Sequence, residues 1–179
     1  MRCHWCKADD DIYVKYHDDE WGRPIHDDRM LFECLILECF HSGLSWACVL
    51  HKRENFRQCF DNFVPEKVAL YSDKKIDFLL QNKGIIRHKG KIKASVQNAQ
   101  IFLNIQKDFG SFDNYIWSWT KGQTIHASPL QATSELSDNI SRDLKAKGMN
   151  FIGSTVIHSY LCAIGVISAH DEECFLREK

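Results

Sequence analysis

At 179 residues, with 44% apolar residues including 11 Phe and 5 Trp, the chain has the material for one packed domain, and three prolines with nine glycines exclude a disordered chain. A net charge of −1 gives no overall pull toward nucleic acid. No uncharged run approaches the ~18 residues a membrane span needs, and the start, MRCHWCKADDD, lacks the apolar stretch of a signal peptide. A cytoplasmic protein is therefore expected, and its eight cysteines are read as metal ligands, nucleophiles or small core residues rather than disulfides.

The periodicity is helical almost throughout, which predicts an all-α fold with a single domain over residues 1–179. In the acidic N-terminal segment, Tyr13, Tyr16 and His17 are spaced so that one helical turn would group them. Asp27 or Asp28 can cap a helix running to about Phe40, which His41-Ser42-Gly43 breaks. A second helix is expected from Leu44 to Phe60. Pro65 opens a short one to about Tyr71, and Ser72 caps another that ends near Gly84. Lys91 to Phe109 repeats apolar residues at helical spacing, and residues 112–119 hold Tyr115, Trp117 and Trp119, read as packing residues. The stretch 120–132 is polar and irregular. Thr133 or Ser134 caps a helix to Gly148, and Gly153 or Ser154 starts the last, to about Ile164. No alternating strand pattern is visible.

The helix MLFECLILECF, residues 30–40, is apolar except for Glu33 and Glu38. At about 100° per residue these lie roughly 140° apart, so one solvent-facing stripe cannot easily hold both. A buried carboxylate is costly unless something pairs with it, so Glu38 poses the question of its partner.

Three constellations carry chemistry. Cys3, His4, Cys6 and His17 stand near one end of the chain, and His170 and Cys174, four apart, near the other. Two such pairs would tie the ends together around a tetrahedral zinc ion, with the choice between Cys3 and Cys6 left open. His158 and Cys162 share the same spacing but lie in an apolar helix, and are read as core. In LKAKGMNFIGSTVIHSYL, two glycines bracket a short turn between helices, so backbone N–H groups near Gly153 and Ser154 can hold a phosphate. Residues 83–93, KGIIRHKGKIK, add five cations and no acid, Lys89 and Lys91 among them. Together they make a DNA-backbone clamp plausible against the plainer reading of an ordinary helical hairpin and a solvated basic face. Trp5, Tyr13, Tyr16, Trp21 and Trp46 could sandwich a flat ring to which Glu38 presents hydrogen-bond acceptors, the shape of a flipped-base pocket, with an aromatic core as the alternative.

The stretches RCHW, YVKYHDDEWG, LFECLILE, SGLSWACVLHKRENFRQCF, GIIRHKGKI, NAQIFL, WSW, LKAKGMNFIGSTVIHSY and HDEEC run in order over essentially the whole chain. In them the sequence resembles the bacterial DNA-3-methyladenine glycosylase I family. The resemblance implies a helix-hairpin-helix glycosylase fold with a small lobe, residues 1–26 and 165–179, built on a structural zinc. It carries the zinc ligands onto Cys3, His17, His170 and Cys174, and the base pocket onto Tyr16, Glu38 and Trp46, with Tyr13, Trp5 and Trp21 nearby. It also carries the hairpin onto Gly148 to Thr155. His41 and Ser42 stand where the family usually has glutamine and alanine, beside the loop that probes the DNA.

The implied reaction is hydrolysis of the N-glycosidic bond of 3-methyladenine in double-stranded alkylated DNA by a monomeric enzyme. Adenine alkylated at N3 is cationic and leaves as a neutral base, so it needs extrusion, holding and discrimination more than acid catalysis. Glu38 is expected to pair with the substrate base, Trp46 and Tyr16 to stack on it, and Leu44, after Gly43, to fill the vacated stack. No lysine stands in the pocket motif, so no strand cleavage is expected. A zinc-stabilised DNA-binding module without catalysis is the rival reading, but it gives Glu38, Trp46 and Tyr16 no joint purpose.

Overall fold

The structure, a computed structural model, describes residues 1–177. Ten α-helices account for most of them: α1 Asp11–Asp19, α2 Asp28–His41, α3 Trp46–Leu50, α4 Arg53–Cys59, α5 Pro65–Val68, α6 Asp73–Gln81, α7 Lys89–Phe109, α8 Phe112–Ser118, α9 Glu135–Ala146 and α10 Ser154–Ala163. A 3₁₀ turn, Asp61–Phe63, lies between α4 and α5. The expected all-α class holds, with one addition. Ile125–His126 (β1) pairs in parallel with Ile167–Ser168 (β2), a match too short to leave an alternating pattern in the sequence.

Helix starts follow local capping chemistry. Both candidate aspartates at the start of α2 are used, for different helices. Asp27 accepts from Met30 N at 2.8 Å and caps α2. Asp28 accepts from Phe112 N at 2.9 Å and Asp113 N at 2.8 Å, and so holds the start of α8. Ser72 caps α6, and Ser134 with Ser137 forms a reciprocal capping pair on α9. The expected helix from Leu44 to Phe60 is instead two, broken at His51–Lys52, where His51 reaches Asp10, the N-cap of α1, at 2.8 Å.

The core packs α2, α7, α8 and α10 around a ladder of rings: Phe32 and Phe112 flank Phe102, the latter pair stacked with centroids 4.0 Å apart. Phe40, Phe56, Phe60 and Phe63 extend it toward α4. Each is fully buried, worth about 3–5 kcal/mol against truncation to alanine. α2 is buried nearly all round, as its composition requires, so both glutamates are inside. Glu33 is held by Arg53 at 2.6 Å, Arg57 at 2.7 Å and Arg29 at 3.2 Å. Burial alone would push its carboxyl up, but Arg57 and Arg53 prevail and hold it below the ordinary range. Glu33 is therefore a paired structural charge, and Glu38 is not part of that network.

Candidate functional site

Glu38 lies one turn before the end of α2, 5% exposed. It forms part of the wall of a cavity of about 270 Å³ lined also by Trp5, Tyr13, Tyr16, Trp21, His41 and Trp46 from the N-terminal half. The remaining wall comes from α10 with His158 and Cys162, from Ala169 after β2, and from Pro129 and Gln131 in the segment ahead of α9. That volume falls just under the ~300–1,000 Å³ of ordinary ligand pockets and suits a single flat heterocycle. α1 supplies Tyr13 and Tyr16 from its buried face, as their spacing predicts. Tyr16 and Trp46 sit with ring centroids 5.3 Å apart and tilted by 44°. Trp5 meets Trp21 edge-on at 4.9 Å. All six of the pocket residues anticipated from the sequence are thus brought to one cavity.

Glu38 also has a partner within the protein. His41 Nδ1 lies 3.0 Å from Glu38 Oε2, one turn on along the same helix. Burial raises the Glu38 carboxyl above its ordinary range, and His41 opposes that shift without cancelling it. His41 also sits against Trp46, with centroids 5.3 Å apart.

The loop after α2 carries Gly43 at φ +79°, where an added Cβ would meet nothing within 4 Å, and Leu44 at 42% exposure. Lys91 is buried, unlike the lysines around it in the basic run. It is not a free surface cation: it is 6% exposed, and its ammonium donates to Phe40 O at 2.9 Å and Ser42 O at 2.5 Å. It satisfies carbonyls left open at the end of α2, and so anchors the loop. Lys83, Arg87, Lys89 and Lys93 remain exposed. Lys89→Ala is therefore expected to flatten the salt dependence of DNA affinity by a slope of roughly 0.9, whereas Lys91→Ala should lower the melting temperature and leave that slope alone. Filter binding from low to moderate salt, with thermal melts, checks both.

α9 and α10 are joined by residues 147–153, whose backbone is fixed from α7. Asn98 is fully buried, accepts from Asn150 N at 2.9 Å and donates to Asn150 O at 3.0 Å. Gln97 donates to Gly148 O at 2.7 Å. Gly153 precedes the first turn of α10 with open space around it, so an anion can approach the backbone there.

Cys3, His17, His170 and Cys174 form a buried cluster whose four ligand atoms all lie within 4.8 Å of one another. Sulfur-to-nitrogen separations are 3.4 Å for Cys3–His170, 3.5 Å for Cys174–His17 and 3.5 Å for Cys174–His170. A tetrahedron with Zn–S near 2.3 Å and Zn–N near 2.0 Å has S···N edges of about 3.5 Å, so the donor set and its size fit zinc. His17 Nδ1 turns away to Asp18 at 2.8 Å, itself clamped by Arg2, which orients the ring as a metal ligand's outer partner does. Cys6 stands outside, its thiol near Tyr13 O at 3.9 Å, which separates the two cysteines that spacing could not. His170 and Cys174 come from a turn rather than a helix. Gly22, at φ +78°, permits His170 to approach: a Cβ there would stand 2.7 Å from Nε2. Trp21 packs edge-on against His170 at 4.7 Å and also lines the cavity, so the cluster buttresses one pocket wall.

Sequence reasoning missed His158 and Cys162 as pocket lining. Their helix is apolar enough to hide a functional residue among core ones.

Fold and site together are those of a helical protein with an aromatic cavity that carries a buried carboxylate in its wall. The family model for methyladenine glycosylase matches residues 5–177, and the chain belongs to that family. It is 39% identical over 178 residues to DNA-3-methyladenine glycosylase 1 of Escherichia coli (strain K12), covering 97% of this chain and 95% of that one. A crystal structure of 3-methyladenine DNA glycosylase I aligns with a TM-score of 0.95 at 39% identity, over 99% of this chain and 100% of the other. The structure of 3-methyladenine DNA glycosylase I from Staphylococcus aureus, which concerns recognition of 3-methyladenine, aligns with a TM-score of 0.94 at 34% identity, over 100% and 99%.

Proposed function

We propose that this chain is a monofunctional DNA glycosylase that hydrolyses the N-glycosidic bond of 3-methyladenine in alkylated double-stranded DNA, as a monomer in the cytoplasm. The observation that carries the reading is Glu38, a buried carboxylate in the wall of an aromatic cavity sized for one base, in a member of the methyladenine glycosylase family. Glu38 accepts hydrogen bonds from the exocyclic amine and ring edge of the extruded base. Trp46 and Tyr16 stack on it, each contact contributing on the order of 1–3 kcal/mol. Trp5, Tyr13 and Trp21 close the cavity.

Methylation at N3 makes the base cationic before any bond breaks. The glycosidic electron pair leaves with the base and neutralises it, water adds to the sugar carbon, and its proton passes to solvent. Leu44, on its Gly43 turn, fills the gap in the stack. Lys89 and the α9–α10 segment, read as a helix-hairpin-helix with Gly153 and Ser154 at its anion-facing end, hold the DNA backbone. The Cys3, His17, His170 and Cys174 cluster binds one structural zinc, which supplies rigidity to the lobe and takes no part in the reaction.

Incubating the protein with methylated duplex DNA and separating the released bases tests the reading. Free 3-methyladenine should appear at a rate far above the spontaneous one, and the abasic product strand should remain unbroken until alkali is added. Absence of released base, or strand breaks without alkali, would reject it.

A further inference from the structure

Among the described residues only three buried side-chain polar atoms lack a hydrogen-bond partner: Trp46 Nε1, His158 Nε2 and Tyr160 Oη. Two of them belong to residues that line the cavity containing Glu38. Folded interiors leave few such atoms, because each forfeits its bond to water without replacing it. Their concentration at one cavity points to a ligand that supplies the missing partner. Tyr160 is fully buried in the core and lines no part of that cavity.

His158 is the less expected of the two. It stands on α10, away from the helix that carries Glu38, and is 3% exposed. Its Nδ1 lies 3.3 Å from Ser134 Oγ, the cap of α9, so the ring is tethered from one side. The Gln131 backbone lies close enough to favour the protonated ring slightly, yet no bond of acceptable geometry reaches Nε2. Burial outweighs that and lowers the His158 pKa, so the imidazole is neutral near pH 7 and offers one donor and one acceptor. Cys162, one turn on, is no ionic partner: burial pushes its thiol up to about 12.

We propose that His158 is a specificity-determining residue whose Nε2 forms a hydrogen bond to the edge of the extruded methylated base, so that the pocket reads the base from α10 as well as from α2. This rests on the cavity being the 3-methyladenine site. It adds a polar contact that normal stacking would not provide, and it explains why a histidine occupies a helix otherwise suited to core residues.

His158→Phe keeps a flat ring of similar size and removes both nitrogens. Calorimetric affinity for free 3-methyladenine should fall about tenfold, the loss of one hydrogen bond, with the melting temperature unchanged or slightly lowered through the lost Ser134 contact. In the unaltered protein, the ¹⁵N resonance of His158 Nε2 should shift on saturation with 3-methyladenine, a readout that survives if the variant folds poorly. Unchanged affinity, with or without a lower melting temperature, together with an unshifted resonance, would overturn the role and leave His158 as a prop for Ser134. Failure of 3-methyladenine to bind the unaltered protein would instead overturn the reading of the cavity itself.

Discussion

Glu38→Gln should lower affinity for free 3-methyladenine by about ten- to a hundredfold while the protein stays folded. A hydrogen bond to a charged acceptor is worth about 1.5–3 kcal/mol, and the amide replaces one acceptor with a donor aimed at the base's own amine. Stability should change little or rise. Burial raises the Glu38 pKa, so the ionised form costs stability at neutral pH, and that cost is relieved as pH falls through the raised value. Glutamine removes it at every pH. His41 partly offsets the cost through its contact with Oε2, which limits the gain. Excision should fall less than base affinity, because the cationic base already leaves readily. If Glu38 merely held helices together, the variant would melt early and bind base normally. Calorimetry and thermal melts on the same preparation separate the two outcomes.

Cys174→Ser should abolish stoichiometric zinc and lower the melting temperature, with zinc content measured by atomic absorption. Structural zinc contributes about 10–16 kcal/mol in small peptides that have no other core. Here α2, α7, α8 and α10 pack independently of the cluster, so partial loss of structure rather than global unfolding is expected. The damage should reach the pocket, because Trp21 touches His170 and Trp5 touches both His17 and Trp21. Base affinity should therefore drop in the same variant. Cys6→Ser, outside the cluster, should change neither quantity. Full zinc occupancy in Cys174→Ser would remove that residue from the ligand set.

Much of the molecule was legible from local chemistry. Ser72, and the pairs Asp27/Asp28 and Thr133/Ser134, mark helix starts in the sequence because each offers a side-chain acceptor to amides that no helix can satisfy internally, and the fold selects Asp27 and Ser134 from those pairs. Tyr13, Tyr16 and His17 were grouped by spacing alone. What failed to show was whatever depends on tertiary partners. The break at His51–Lys52 interrupts a pattern that stays apolar on both sides. Lys91 sits in a basic run with exposed neighbours, and nothing in its type reveals that its ammonium turns inward to Phe40 and Ser42. His41 was visible as a departure from the family pattern, but its pairing with Glu38 required the fold. His158 was masked by the apolar helix around it.

The most direct measurement is a paired calorimetric titration of the unaltered protein with 3-methyladenine and with adenine. If the cavity is built to read the methylated base, 3-methyladenine binds at a single site per chain and adenine at the same concentrations gives no saturable heat. Equal affinity for the two bases, or no binding of either, would contradict it.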